Sequence, residues 1–145
     1  MVAQIISDKF ITWHELEHLI VSPNSVRLSQ TSKKLIKSSN NTLSEILKSG
    51  KTIYGVNTGF GKLSSVSIDK KDIKELQLNL VRSHATGVGK PFDYGVTRLI
   101  MMLKLLTWTK GFSGVSPRLS TLLLNMLNHD ILPIIPRQGS VGASG

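Results

Sequence analysis

His14, Glu15 and His18 reproduce the HExxH spacing in which a helix offers two imidazoles to zinc and a glutamate to the water the metal activates. Gly59-Phe60-Gly61-Lys62 has the outline of a phosphate-cradling loop. A third set is dispersed. It comprises Tyr54 within Tyr54-Gly55-Val56-Asn57-Thr58-Gly59-Phe60-Gly61, the pair Ser83-His84, and the run Gly139-Ser140-Val141-Gly142-Ala143-Ser144-Gly145. The chain has no cysteine, which excludes disulfides, thiolate metal sites and cysteine nucleophiles.

The first two sets fail on detail. Thr12 and Glu15 are spaced as a capping box, so Glu15 already has a structural role in the first turn of a helix. No third ligand follows at a zinc-peptidase spacing, since Glu45 and Glu75 are the only later glutamates and neither sits in a fitting motif. Surface histidines are expected at His14 and His18, with no metal. The glycine loop lacks the glycine and the Ser or Thr of a Walker A motif, having Val56 and Leu63 at those positions. It also lacks the third glycine of a dinucleotide fingerprint, where Ser64 stands, and no strand of a βαβ unit precedes it. Taken singly, the third set reads as a turn tyrosine, a capping serine beside a buried histidine, and a flexible tail.

Five helices must position these residues. The first starts at the Thr12/Glu15 box, with Ile11 and Leu16 as a hydrophobic staple and Leu16, Leu19 and Ile20 as its apolar stripe. After a turn at Ser22, Pro23 and Asn24, a second helix runs from about Ser29 to Ser49, with Leu35, Ile36, Leu43, Ile46 and Leu47 inward and Gly50 ending it. Asp69 caps a third, carrying Ile73, Leu76, Leu80 and Val81 toward Ser83 and His84, before Gly87, Gly89 and Pro91 break it. A fourth, from about Tyr94 to Lys110, is apolar nearly all round and is expected to be central and buried. Ser116 and Pro117 open a fifth, with Leu119, Leu122, Leu123, Met126 and Leu127 in the core and Asn128 as its stop. The tail from Asp130 onward is expected to be irregular. The sum is a mainly α, N-terminal helical domain with glycine-rich functional loops.

Composition narrows the partners. With 40% hydrophobic and 19% charged residues the chain folds rather than staying disordered. Its net charge of +9 does not signal nucleic-acid binding, because Lys33, Lys34, Lys37, Lys48, Lys70, Lys71 and Lys74 are scattered without interleaved aromatics. Met1 to Phe10 lacks the apolar stretch of a secretory signal, and the longest apolar run, Leu99 to Leu106, is interrupted by Lys104. A cytoplasmic protein without membrane contact is expected.

Together and in this order, three blocks resemble the ammonia-lyases and aminomutases that use a methylidene-imidazolone group. The blocks are Tyr54 to Gly61, then Leu78-Asn79-Leu80-Val81-Arg82-Ser83-His84-Ala85 with Gly87-Val88-Gly89, then Gln138 to Gly145. The resemblance extends over essentially the whole chain from Phe10. It implies that the nitrogen of Gly145 attacks the carbonyl of Ala143, closing a ring that loses water, while Ser144 loses its hydroxyl to leave an exocyclic methylene. The prosthetic group is then self-made, with no external cofactor. Glycine offers an unhindered nitrogen, and only a β-hydroxyl can be eliminated to the methylene.

The resemblance further implies that Tyr54 is the base that takes the substrate's β-proton. Because a phenol in water titrates near pH ~10, such a base needs donors that stabilise its phenolate. Gly61 matches a position whose backbone lies close to the bound amino acid. Ser83-His84 resembles the histidine-specific members, where phenylalanine lyases have Phe-Leu and tyrosine lyases His-Leu. The implied reaction is L-histidine to trans-urocanate and ammonia, with a tyrosine lyase or aminomutase as the alternative and a zinc hydrolase at His14 and His18 a distant one. Residues 1–145 are then the first part of a longer homotetrameric enzyme, inactive as an isolated segment.

Overall fold

In the computed structural model, residues 4–21, 26–59, 68 and 72–139 are described. Their order is β1 (Gln4–Ile6), α1 (Trp13–Val21), β2 (Val26–Leu28), α2 (Gln30–Lys48), α3 (Ile73–His84), β3 (Val88–Pro91), α4 (Tyr94–Thr109), α5 (Pro117–Asn128) and β4 (Pro136–Gln138). The expected turn at Ser22, Pro23 and Asn24 lies outside the described residues, as does Asp69; the cap position of α3 is held not by Asp69 but by Asp72, whose side chain makes no capping hydrogen bond. Gly61 and the tripeptide Ala143, Ser144 and Gly145 also lie outside the described residues. The chain divides into two compact units, Met1–Leu43 with Pro91–Ile135, and Ser44–Lys90 with Pro136–Gly145.

The first unit holds the core. β1 and β2 pair in parallel, Gln4 against Val26 and Ile6 against Leu28. Their inward residues Ile6 and Val26 pack with Ile36 of α2, Met102 and Leu105 of α4 and Leu127 of α5, all essentially without solvent contact. Leu16 and Leu19 close it from α1. The capping box forms as its spacing requires: Thr12 donates its N–H (2.8 Å) and Oγ1 (2.7 Å) to Glu15 Oε2, and Glu15 N–H donates to Thr12 Oγ1 (3.3 Å). Asp93 caps α4 through Val96 N–H, and Ser116 caps α5 through Leu119 N–H ahead of Pro117. Asn128 does more than stop α5. Its side chain clamps β2, accepting from Val26 N–H at 2.7 Å and donating to Val26 O at 3.0 Å.

Several expectations are corrected. Four short strands accompany the helices, including β3 in the stretch read as helix breaker and β4 in the tail read as irregular. Elements of three or four residues are too short to show a period of two. α4 is buried on one side only: Met101, Met102, Leu105 and Leu106 face α1 and α5, while Ile100 and Leu103 are exposed, as are Leu119 and Leu122 of α5. An apolar pattern states which residues avoid water and not which neighbour covers them. In α2 only Ser32 and Ile36 are fully buried, with Leu35, Leu43, Ile46 and Leu47 half-buried.

The clamp makes a stability prediction. Asn128→Ala leaves both polar groups of the fully buried Val26 backbone unpaired and is expected to cost about 1–3 kcal/mol in denaturant titration, against under ~0.5 kcal/mol for Asn125→Ala on the exposed side of α5. The capping box adds one in pH. Hydrogen bonds from Thr12 hold the Glu15 carboxyl below its ordinary 4.5, so its contribution is present above that value and lost as pH falls through the lower native one. The protection of the Leu16 amide relative to its intrinsic exchange rate, its N–H donating to Thr12 O, should fall on that acidification, and Thr12→Val should weaken the effect.

Candidate functional site

Tyr54, Ser83 and His84 all belong to the second unit. Residues 54–57 form a turn built around two buried polar side chains, Asn57 and Thr58. Asn57 Oδ1 accepts from Ile53 N–H at 2.7 Å and its Nδ2 donates to Lys51 O at 3.0 Å. Thr58 Oγ1 accepts from Gly55 N–H at 3.1 Å and donates to Gly59 O at 3.0 Å. Gly55 takes φ +70°, left-handed backbone that a side chain would disfavour. The turn thus buries its own polar groups and leaves Tyr54 60% exposed at its crest.

α3 stands beside this turn. Gln77 Nε2 lies 3.5 Å from both Gly55 O and Val56 O. His84 follows seven residues later, which is two helical turns, about 10 Å, along the same face. Its ring folds back on the helix, with Nδ1 2.8 Å from Leu80 O and 3.1 Å from Ser83 Oγ. Ser83 Oγ in turn donates to Leu80 O at 3.1 Å. A carbonyl can only accept, so in the neutral ring Nδ1 carries the hydrogen and Nε2 is left with the lone pair. No residue of α3 is buried, which corrects the reading of His84 as a buried histidine.

β3 and β4 pair as a two-stranded sheet, and Gly139 follows β4 in the chain. A Cβ at Gly87 would lie 2.8 Å from Pro136 Cγ, whereas one at Gly139 would meet Gly87 Cα at an ordinary 3.5 Å. The close approach is therefore at Gly87, where β4 begins. By residue type, Ala143, Ser144 and Gly145 offer a small carbonyl donor, a β-hydroxyl and an unhindered glycine nitrogen, the donor set a group cyclised from the chain would require.

Sequence reasoning missed Gln77 and the work of Asn57 and Thr58. Asn and Thr inside a glycine-rich turn are a usable signal, because their side chains bond the local backbone. Gln77 gave none. The HExxH residues also come together: His14 Nε2 lies 3.3 Å from His18 Nε2, both exposed, but Glu15 is held by Thr12. Among the described residues no three metal-ligating side chains form a cluster.

The described residues thus form a helical scaffold with candidate polar side chains on a glycine-bearing turn and at the end of a helix. Residues 11–145 match the family model described as aromatic amino acid lyase, and the chain belongs to that family. It is 50% identical over 120 residues to a histidine ammonia-lyase of Treponema denticola, an alignment covering 83% of this chain and 24% of that one. Among solved structures it is similar to an ergothionase of Treponema denticola in complex with desmethyl-ergothioneine sulfonic acid (TM-score 0.90, 26% identity, 97% of this chain and 28% of that chain). It is likewise similar to a tyrosine aminomutase of Streptomyces globisporus (TM-score 0.88, 33% identity, 96% and 26%). The chain spans about a quarter of the length of the curated relatives it matches.

Gly87→Ala is expected to force β3 and β4 apart and cost about 1–3 kcal/mol in thermal or chemical unfolding, while Gly139→Ala is tolerated.

Proposed function

We propose that this chain forms the N-terminal region of an enzyme that deaminates L-histidine to trans-urocanate and ammonia. The observation that carries this reading is the His84 ring. With Nδ1 committed to Leu80 O, Nε2 accepts a hydrogen bond from an N–H of the substrate's imidazole. A phenyl side chain has no such donor. Ser83 is small enough to leave room for that ring and steadies His84 through the shared Leu80 carbonyl. The identity to histidine ammonia-lyases supports the same substrate.

Formed from Ala143, Ser144 and Gly145, the methylidene-imidazolone supplies an electron-poor alkene, an electrophile that the twenty side chains lack. The residues of this chain do the rest of the work assigned to it here. Tyr54 Oη takes the β-proton of the substrate from an exposed position on a turn whose backbone is locked by Asn57 and Thr58. Gly61 lets the bound amino acid approach the backbone closely. His84 orients the imidazole relative to that base. A homotetrameric assembly and a cytoplasmic setting go with the reading; no helix of the described residues is long and apolar enough to cross a membrane.

The test uses the full-length protein supplied separately with histidine, tyrosine and phenylalanine. Histidine should be consumed with formation of a conjugated, ultraviolet-absorbing acid and ammonia. Tyr54→Phe should lower kcat by about 10²–10⁴-fold while leaving unchanged the loss of two waters in the intact mass and the prosthetic group's own absorbance. Ser83→Phe with His84→Leu should raise KM for histidine and shift preference toward phenylalanine. Faster turnover of tyrosine, or a preference untouched by the double substitution, overturns the substrate assignment.

A further inference from the structure

The pair on α1 is left unused by this reading. Thr12 donates twice to Glu15 Oε2, which removes the general base that an HExxH hydrolase needs. The two imidazoles remain, and their separation is informative. In the metal-free chain the two Nε2 atoms stand 3.3 Å apart, a long hydrogen bond in which one ring donates and the other accepts. Two zinc–imidazole bonds of about 2.0–2.1 Å at the tetrahedral angle place their nitrogens roughly 3.3–3.4 Å apart. The rings meet edge to face, with centroids 4.6 Å apart and planes at 79°, so they are not stacked on each other. Residues four apart on a helix keep this spacing through a rigid backbone, one turn of which separates His14 from His18. Both side chains are exposed, and His18 also lines a pocket of about 300 Å³ with Phe10, Ile11 and Leu19, which leaves space on its open side for water or a small ligand.

We propose that His14 and His18 form a two-imidazole clamp for a divalent transition-metal ion such as zinc, whose bond lengths are compatible with the gap. The clamp has neither a protein base nor a third protein ligand among the described residues, so it binds metal without hydrolysing anything. Its remaining positions are taken by water or an exogenous donor. Neither histidine belongs to the set assigned to deamination, so occupancy acts on α1 locally. By joining residues one turn apart, it rigidifies a helix of only nine residues.

Full-length protein stripped by a chelator is titrated with zinc chloride in a calorimeter, alongside His14→Gln, His18→Gln and a His129→Gln control. Glutamine is a good helix former, so α1 is retained in the variants. Wild type and the control are expected to bind one more zinc ion per chain than either α1 variant. Hydrogen exchange followed by mass spectrometry should show zinc slowing exchange in Trp13–Val21 only in the proteins that retain both imidazoles. Histidine deamination by the α1 variants should match wild type. Equal zinc stoichiometry in wild type and either variant, or zinc-independent exchange of α1 in wild type, overturns the proposal.

Discussion

A carbonyl oxygen has two lone pairs and no hydrogen, and near the end of α3 that asymmetry is imposed on a histidine. Leu80 O takes the Nδ1 hydrogen of His84, and the ring is thereby fixed in one tautomer and swung back along the helix toward its N-terminal turns. Everything assigned to the site inherits this constraint. The free nitrogen is Nε2, the serine next door bonds to the same carbonyl, and the face that bears the ring also bears Gln77, which reaches the backbone beneath Tyr54. A leucine at position 84 would keep the helix and lose the directionality.

The second unit achieves this with little apolar burial. No residue of α3 is buried, and the turn beside it is held by two buried polar side chains, Asn57 and Thr58. Among its described residues, hydrogen bonds to the backbone and a close glycine contact hold the chain in place. The first unit has the reverse character, with branched and flexible apolar side chains closed over a two-stranded parallel sheet. The residues proposed for recognition and the described hydrophobic core thus lie in different units.

What was legible in the sequence follows the range of each interaction. Caps and helix lengths depend on residues three or four apart, so the Thr12/Glu15 box, the Ser116-Pro117 start and the extent of α4 could be read directly. The glycine-rich turn and the Ser83-His84 pair were also legible, as residue types and as a family resemblance. Burial was not. Leu119 and Leu122 have the spacing of a core stripe yet are exposed, and the strands are too short to announce themselves. The ring orientation of His84 and the approach of Gln77 to the loop depend on three-dimensional neighbours that no spacing rule encodes. Gly87 was read as a helix breaker when its constraint is the ring of Pro136.

The bond between Asn128 and Val26 joins residues 102 apart in sequence, and Thr109 to Ser7 and Lys110 to Asp8 span the same distance. The first unit is interrupted by residues 44–90 of the second, so its two halves can meet only after that excursion has been made. Loop closure over such a length adds only slowly to the entropic cost, but it delays the moment at which non-local contacts compensate for it. On the ribosome, the parallel pairing of β1 with β2 therefore stays without its clamp until α5 emerges. The apolar faces of Ile6 and Val26 are left open to non-native partners for most of the synthesis of this segment.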